Sequence, residues 1–141
     1  MSKLYENETT LATEEVVAQK LKKAYSIIPV KLPRSYRVDW AFTKNNEVVA
    51  WAELKYRSHS FGDYPDLFIS LSKYMAGCEL KQRTEKPFYI LGHFNNGLYS
   101  WKHDYGDECK IMMGGRMDRG DPADQEPMVH ILNEYFKKLD V

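Results

Sequence analysis

The chain has 141 residues, its 20 Lys and Arg are matched by 20 Asp and Glu, and 43% of its residues are hydrophobic. That length makes about one domain around one core, burying roughly 68% of the unfolded surface. The zero net charge argues against a protein that holds nucleic acid by bulk charge, and no run approaches the ~18 apolar residues of a membrane helix.

The opening MSKLYENETT has no apolar secretory region, so the cytosol is the expected compartment and no membrane partner is expected. Residues 1 to 8 read as a frayed polar tail. From Thr10 to Ser26, Leu11, Glu14, Val17, Ala18, Leu21 and Ala24 fall on one stripe at helical spacing, with Lys20, Lys22 and Lys23 largely outside it. Early acids and late lysines suit the helix dipole. Glu14 falls on the apolar stripe, whereas Glu15 sits at its edge; both can also serve simply to stabilise the first turn. Basic residues crowd the span from Lys20 to Arg37, so a local basic face can exist on a neutral molecule.

Ile27 to Leu32 reads as a short extended segment, interrupted by Pro29 and closed by Pro33. Arg37 to Tyr56 then reads as a β-hairpin: Val38, Trp40 and Phe42 alternate with polar or small residues, Lys44-Asn45-Asn46-Glu47 forms the turn, and a second run follows from Val48. A loop with Gly62 and Pro65 leads to an expected helix from Asp66 to about Lys81, with Leu67, Leu71 and Tyr74 inward. Phe88 to Phe94, the turn Asn95-Asn96-Gly97 and Leu98 to His103 give a second hairpin. Gly114 to Pro127 reads as a mobile surface loop, in which Arg116 and Arg119 either clamp a nucleic-acid backbone or pair with Asp118, Asp121 and Asp124. The end is expected to be a strand and a short closing helix docked by Tyr135, Phe136 and Leu139. The order implies a mixed α/β layer architecture.

The chemistry concentrates in the first hairpin. Strand side chains alternate faces, so Glu53 and Lys55 project together, with Val49 and Trp51 on the same side. If Asp39 lies on that side of its own strand, two carboxylates and a lysine converge. Two carboxylates about 4 Å apart repel by roughly 4 kcal/mol at an effective dielectric near 20, so such a pair calls for a proton, an ammonium or a metal ion. An isolated E-x-K triplet is otherwise a common solvated pattern, which would leave Trp51 and Glu53 exposed. Cys78 and Cys109 stand in no ligand spacing and read as structural thiols; His93, His103 and His130 read as structural for the same reason, and His59, just after the triplet, reads as a polar loop residue.

An acid-bearing helix, V-D39 on one strand, E53-L-K55 on the next, then a helix and another strand resembles the PD-(D/E)XK nuclease superfamily, over roughly residues 10 to 94. The run from Glu53 to Lys73 also resembles small bacteriophage-encoded nucleases of that fold. Val38 stands where the family pattern has proline. The resemblance implies an α/β restriction-endonuclease-like core, a mixed central sheet flanked by helices, within a single nuclease-like domain spanning 1–141; the second hairpin, loop and closing helix of residues 95–141 would follow that core. It further implies that Asp39, Glu53 and the main-chain carbonyl of Leu54 hold Mg²⁺ or Mn²⁺, an oxygen-only set suited to those ions. Lys55 would stand beside the attacking water, and Glu14 or Glu15 would hold a water of the ion's shell or assist a second ion. The apolar stripe favours Glu14. Lys73 would contact a phosphate, unless it is only a solvated helix lysine, and Arg57 would bind the nucleic acid at the mouth of the site.

The expected function is therefore metal-dependent hydrolysis of nucleic-acid phosphodiesters, DNA ahead of RNA. A phage endonuclease acting on branched DNA in the host cytoplasm fits this expectation, and a junction resolvase of this kind would work as a homodimer. The competing reading is an inactive nuclease-fold protein that binds nucleic acid or a host protein, favoured by the neutral net charge.

Overall fold

The computed structural model describes residues 8–115 and 125–141. Helix α1 spans Glu8–Tyr25. The short strand β1, Ile28–Lys31, pairs antiparallel with β2, Trp40–Lys44, which in turn pairs antiparallel with β3, Glu47–Tyr56. Strand β4, Asp66–Ser70, runs directly into α2, Leu71–Thr84, whose N-terminus is capped by the Ser70 hydroxyl accepting from the Ser72 N–H. Strands β5, Phe88–Phe94, and β6, Gly97–Lys102, form the second hairpin, followed by β7, Cys109–Gly115, β8, Gln125–Leu132, and β9, Lys137–Lys138.

Six strands form one mixed sheet in the order β1-β2-β3-β5-β6-β9, with β3 and β5 parallel and joined through β4 and α2. The remaining three form a second, antiparallel sheet in the order β4-β8-β7. On one face of the large sheet, Val17 and Leu21 of α1 pack with Trp40, Phe42, Ala52, Leu54 and Leu91. On the other, Trp51, Phe88, Ile90 and Trp101 meet Leu67, Ile69, Val129 and Ile131 of the second sheet. Burying a large apolar side chain contributes about 1.5–3 kcal/mol, so these two layers fix which way β3 faces, and with it the site. Among the described residues no helix is long and apolar enough to cross a membrane.

The first hairpin turns where expected. Asn45 and Asn46 both have positive φ, 50° and 65°, the geometry of a tight turn that matches strand twist and that asparagine tolerates. Two details differ from simple alternation. Phe42 pairs with Ala50 but Thr43 pairs with Val48, so Val49 is an extra residue in β3. That bulge turns Val49 towards the α1 layer, and Val48 takes the place beside Trp51. Arg37 has φ 62°, and the bend it starts sends Val38 and Trp40 to opposite layers.

Three expected elements are corrected. Residues 66–70 are a strand rather than the first turns of a helix, because Leu67 and Ile69, 2% and 0% exposed, alternate with Asp66 and Phe68 against β8. The expected loop from Gly114 to Pro127 is in part strand: Gly114 pairs with Glu126 and Met113 with Pro127. Arg116, Arg119, Asp118, Asp121 and Asp124 lie outside the described residues, as do residues 1 to 7. No closing helix forms; a single 3-10 turn, Asn133–Tyr135, delivers Phe136 to the core and lets β9 pair with Tyr99 and Ser100.

Candidate active site

Glu53 stands in the middle of β3, flanked by β2 and β5, and is 0% exposed. Trp51, two residues earlier, is also buried, and its indole N–H donates to the Thr84 hydroxyl of α2 at 2.9 Å. The reading of the E-x-K triplet as a solvated surface pattern is thereby excluded. Both Lys55 and Lys73 reach the same carboxylate oxygen, Oε2 of Glu53, at 3.1 and 3.2 Å. Lys55 arrives because it is two residues along the same strand; Lys73 arrives because it lies in the first turn of α2, which packs across β3.

A carboxylate so enclosed is electrically strained. Burial pushes the Glu53 pKa up, and the nearby Asp39 carboxylate pushes it further in the same direction, while Lys55 and Lys73 pull it down without cancelling the rise. For Lys73, burial acts to lower the pKa, but the attraction of Glu53 and Asp39 outweighs it and holds the ammonium above its ordinary value. Glu53 Oε1 is buried and has no hydrogen-bond partner. An orphaned buried carboxylate oxygen is costly.

Asp39 lies in the bend just before β2. Its Oδ2 accepts the Leu54 N–H at 2.8 Å, continuing the β2–β3 ladder past its last paired residues. In an extended strand the N–H and C=O of one residue point to the same edge, so the Leu54 carbonyl faces the edge on which Asp39 stands. Asp39, Glu53 and Leu54 are thus brought to one place.

The α1 side adds two groups that sequence reasoning missed. Lys31 of β1 places its Nζ 3.1 Å from Glu14 Oε1 and 3.9 Å from Asp39 Oδ1. Its position follows from register, since Lys31 pairs with Trp40, next to Asp39; Pro29 inside the four-residue strand and Pro33 just after it hide that pairing in the sequence. The Tyr56 hydroxyl is buried without a hydrogen-bond partner, and burial, then the Glu14 and Asp39 carboxylates, raise its pKa, so it stays protonated. Glu14 faces this cluster, whereas Glu15 is exposed and accepts from Gln19 one turn on.

Arg57 is folded inward. Its guanidinium donates to the carbonyls of Tyr56 and Phe68 at 3.0 and 2.8 Å and lies over the Phe68 ring, bracing β3 against β4. His59 packs against Tyr64 and Phe94, His93 against Tyr56, and His130 bonds Asp66. His103 is buried within a separate network of Tyr74, Cys78 and Lys81. Cys78 and Cys109 are free thiols.

Among the described residues no three His, Cys, Asp or Glu side chains stand close enough to hold a metal ion by themselves. The donor set nevertheless suits a hard divalent cation, which takes one or two carboxylates and completes its shell with water. Asp39 and Glu53 would supply the carboxylates and Leu54 a carbonyl, and Oε1 of Glu53 is a buried oxygen without a hydrogen-bond partner.

Comparison with known families gives one match: the model of a family described as "Phage putative PDDEXK endonuclease" matches residues 1–139. No curated protein matches the chain.

Proposed function

The chain belongs to this phage PD-(D/E)XK endonuclease family, and from that premise we propose that it is an active, divalent-metal-dependent endonuclease whose site is built on Asp39, Glu53, Lys55 and the Leu54 carbonyl. The observation that carries the reading is Glu53: a carboxylate 0% exposed, with one oxygen held by two lysines and the other left without a partner. Structural ion pairs rarely leave a buried oxygen orphaned, so the arrangement suits a site awaiting a cation.

The divalent ion, Mg²⁺ or Mn²⁺ when bound, supplies charge neutralisation of the phosphodiester and a more acidic water. The protein's own residues do the rest. Lys55, its ammonium anchored by Glu53, orients the attacking water and offers a positive charge to the oxygens of the pentavalent phosphorus. Lys73 is within reach of the same carboxylate and holds the phosphate of the strand being cut. Glu14, which meets Lys31 beside Asp39, positions a water. Arg57 contributes by fixing β4 and hence the start of α2.

DNA is the proposed substrate, acted on by two copies. Strand β7 ends the second sheet, its outer edge has no strand partner among the described residues, and Ile111, Met112 and Met113 are exposed along it. Antiparallel pairing with a second copy centred on Met112 sets Lys110 opposite Gly114, so no like charges meet. Such a two-fold pair suits paired cuts in branched DNA.

The test is a panel of linear duplex, single strand, four-way junction and structured RNA with Mg²⁺, Mn²⁺ or EDTA, with Asp39→Ala alongside. Cleavage that needs the metal and is lost in Asp39→Ala supports the reading and names the substrate. Full metal-dependent cleavage by Asp39→Ala overturns the site, and silence on every substrate favours a binding protein.

A further inference from the structure

We propose that Lys31 is a built-in counter-cation that takes, between Glu14 and Asp39, the place a second divalent ion would otherwise occupy, so that the site holds one divalent ion per chain. The inference deepens the site reading above and rests on it. Its basis is the placement of one ammonium between two carboxylates: Nζ lies 3.1 Å from Glu14 Oε1 and 3.9 Å from Asp39 Oδ1.

The two halves of the cluster are organised differently. On the α2 side, Lys55 and Lys73 both use Oε2 of Glu53 and leave Oε1 without a hydrogen-bond partner. On the α1 side, Asp39 Oδ2 is taken by the Leu54 N–H, and the Oδ1 that remains faces Lys31. A single cation held at Glu53 Oε1 meets a buried oxygen that has no hydrogen-bond partner. A second one approaching Glu14 meets an ammonium already there.

Charge counting points the same way. Glu14, Asp39 and Glu53 bring three negative charges, and Lys31, Lys55 and Lys73 bring three positive ones. One divalent ion leaves a net positive cluster that an incoming phosphodiester partly offsets. Two ions with all three lysines in place would repel one another and the ammonium nitrogens with little to balance them. Lys31 is also not a loose surface side chain that swings in by chance. Its backbone belongs to β1 and pairs with Trp40, the residue after Asp39, so the strand register delivers its stem to the acids. Because the side chain remains 47% exposed, its replacement removes a charge without opening the core.

Calorimetric titration of the full chain with Mn²⁺ alone, and separately with Mg²⁺ alone, tests this. The expected result is one ion per chain for the wild type, two for Lys31→Met, and one again for Lys31→Arg. Combining Lys31→Met with Glu14→Gln should return the count to one, which ties the second ion to Glu14. Lys31→Gln serves in place of Lys31→Met should the latter not fold. Two ions bound by the wild type, or one ion bound by both wild type and Lys31→Met, overturns the inference and leaves the Asp39–Glu53 site standing. No ion bound by wild type or variants overturns the site reading and this inference together.

Discussion

Replacing Lys73 by methionine should bend the pH dependence of metal binding in two directions at once. Lys73 stands 3.2 Å from Glu53 Oε2. At that separation and an effective dielectric near 20 the gross attraction is about 5 kcal/mol, but most of it is offset by desolvation, and a hydrogen bond to a charged group nets about 1.5–3 kcal/mol. Partial exposure of the lysine and the persistence of Lys55 keep the effect at the low end. Each 1.36 kcal/mol corresponds to one pH unit. Glu53 already has a raised pKa, and it must be ionised to ligate a cation, so its protonation competes with binding as pH falls. Without Lys73, protonation is easier, and the pH at which Mn²⁺ affinity is half lost should move up by about one unit. Well above that midpoint the variant should bind Mn²⁺ a few-fold more tightly, because one repelling ammonium is gone. The two affinity–pH curves should therefore cross. Calorimetric titrations with Mn²⁺ from pH 5 to 8.5 on both proteins measure this directly, and parallel curves, or a variant midpoint at lower pH, would refute the coupling of Lys73 to metal binding through Glu53.

Other consequences can be checked alongside. Glu14→Gln should lower cleavage at least tenfold while Glu15→Gln leaves it within twofold, measured as single-turnover rates, because only Glu14 meets Lys31 and Asp39. His103 has its pKa lowered to about 4, by burial first and by Lys81 second. A lysine ammonium can only donate, so Nδ1 accepts from Lys81 and the ring proton sits on Nε2 beside Tyr74. The folded state therefore binds fewer protons than the unfolded state between about pH 4 and the ordinary histidine value. Stability present above pH 6.5 is lost as pH falls through that window, on the order of 3 kcal/mol. His103→Gln should flatten that part of the melting temperature–pH curve. A Cβ on Gly77 would meet the buried Phe88 ring at 2.2 to 2.4 Å. Gly77→Ala should therefore cost about 1–3 kcal/mol in urea unfolding despite alanine's better helix propensity.

What the sequence made legible follows the reach of local periodicity. Glu53, Lys55 and Trp51 share a face because strand side chains alternate, and nothing distant is needed to see it. The apolar stripe of α1 favours Glu14 over Glu15, and Glu14 meets Lys31, which also faces Asp39. The failures are long-range or mixed signals. Lys31 belongs to the cluster only through the β1–β2 register, which no window of neighbouring residues contains. Strand β4 was hidden because Leu67, Leu71 and Tyr74 fit a helix as well as Leu67 and Ile69 fit a strand, and only pairing with β8 decides. Gly114, Gly115 and Pro127 read as loop formers, yet they close a strand pair whose partner residues supply the alternation. The bulge at Val49 has the same origin: the hydrophobic pattern Val48-Val49 allows either residue inward, and the partner strand chooses.

In the proposed site, Lys55 performs chemistry beside a metal ion that Asp39 and Glu53 would hold. One sample of Lys55→Met, titrated with Mn²⁺ by calorimetry and then assayed for cleavage of the preferred nucleic acid, separates holding the ion from using it. The expected result is metal binding within about threefold of the wild type and cleavage reduced at least a hundredfold, since one lost charge-stabilising group of this kind costs about 10²–10³ in rate. Cleavage by Lys55→Met at the wild-type rate, with Mn²⁺ bound, would contradict it.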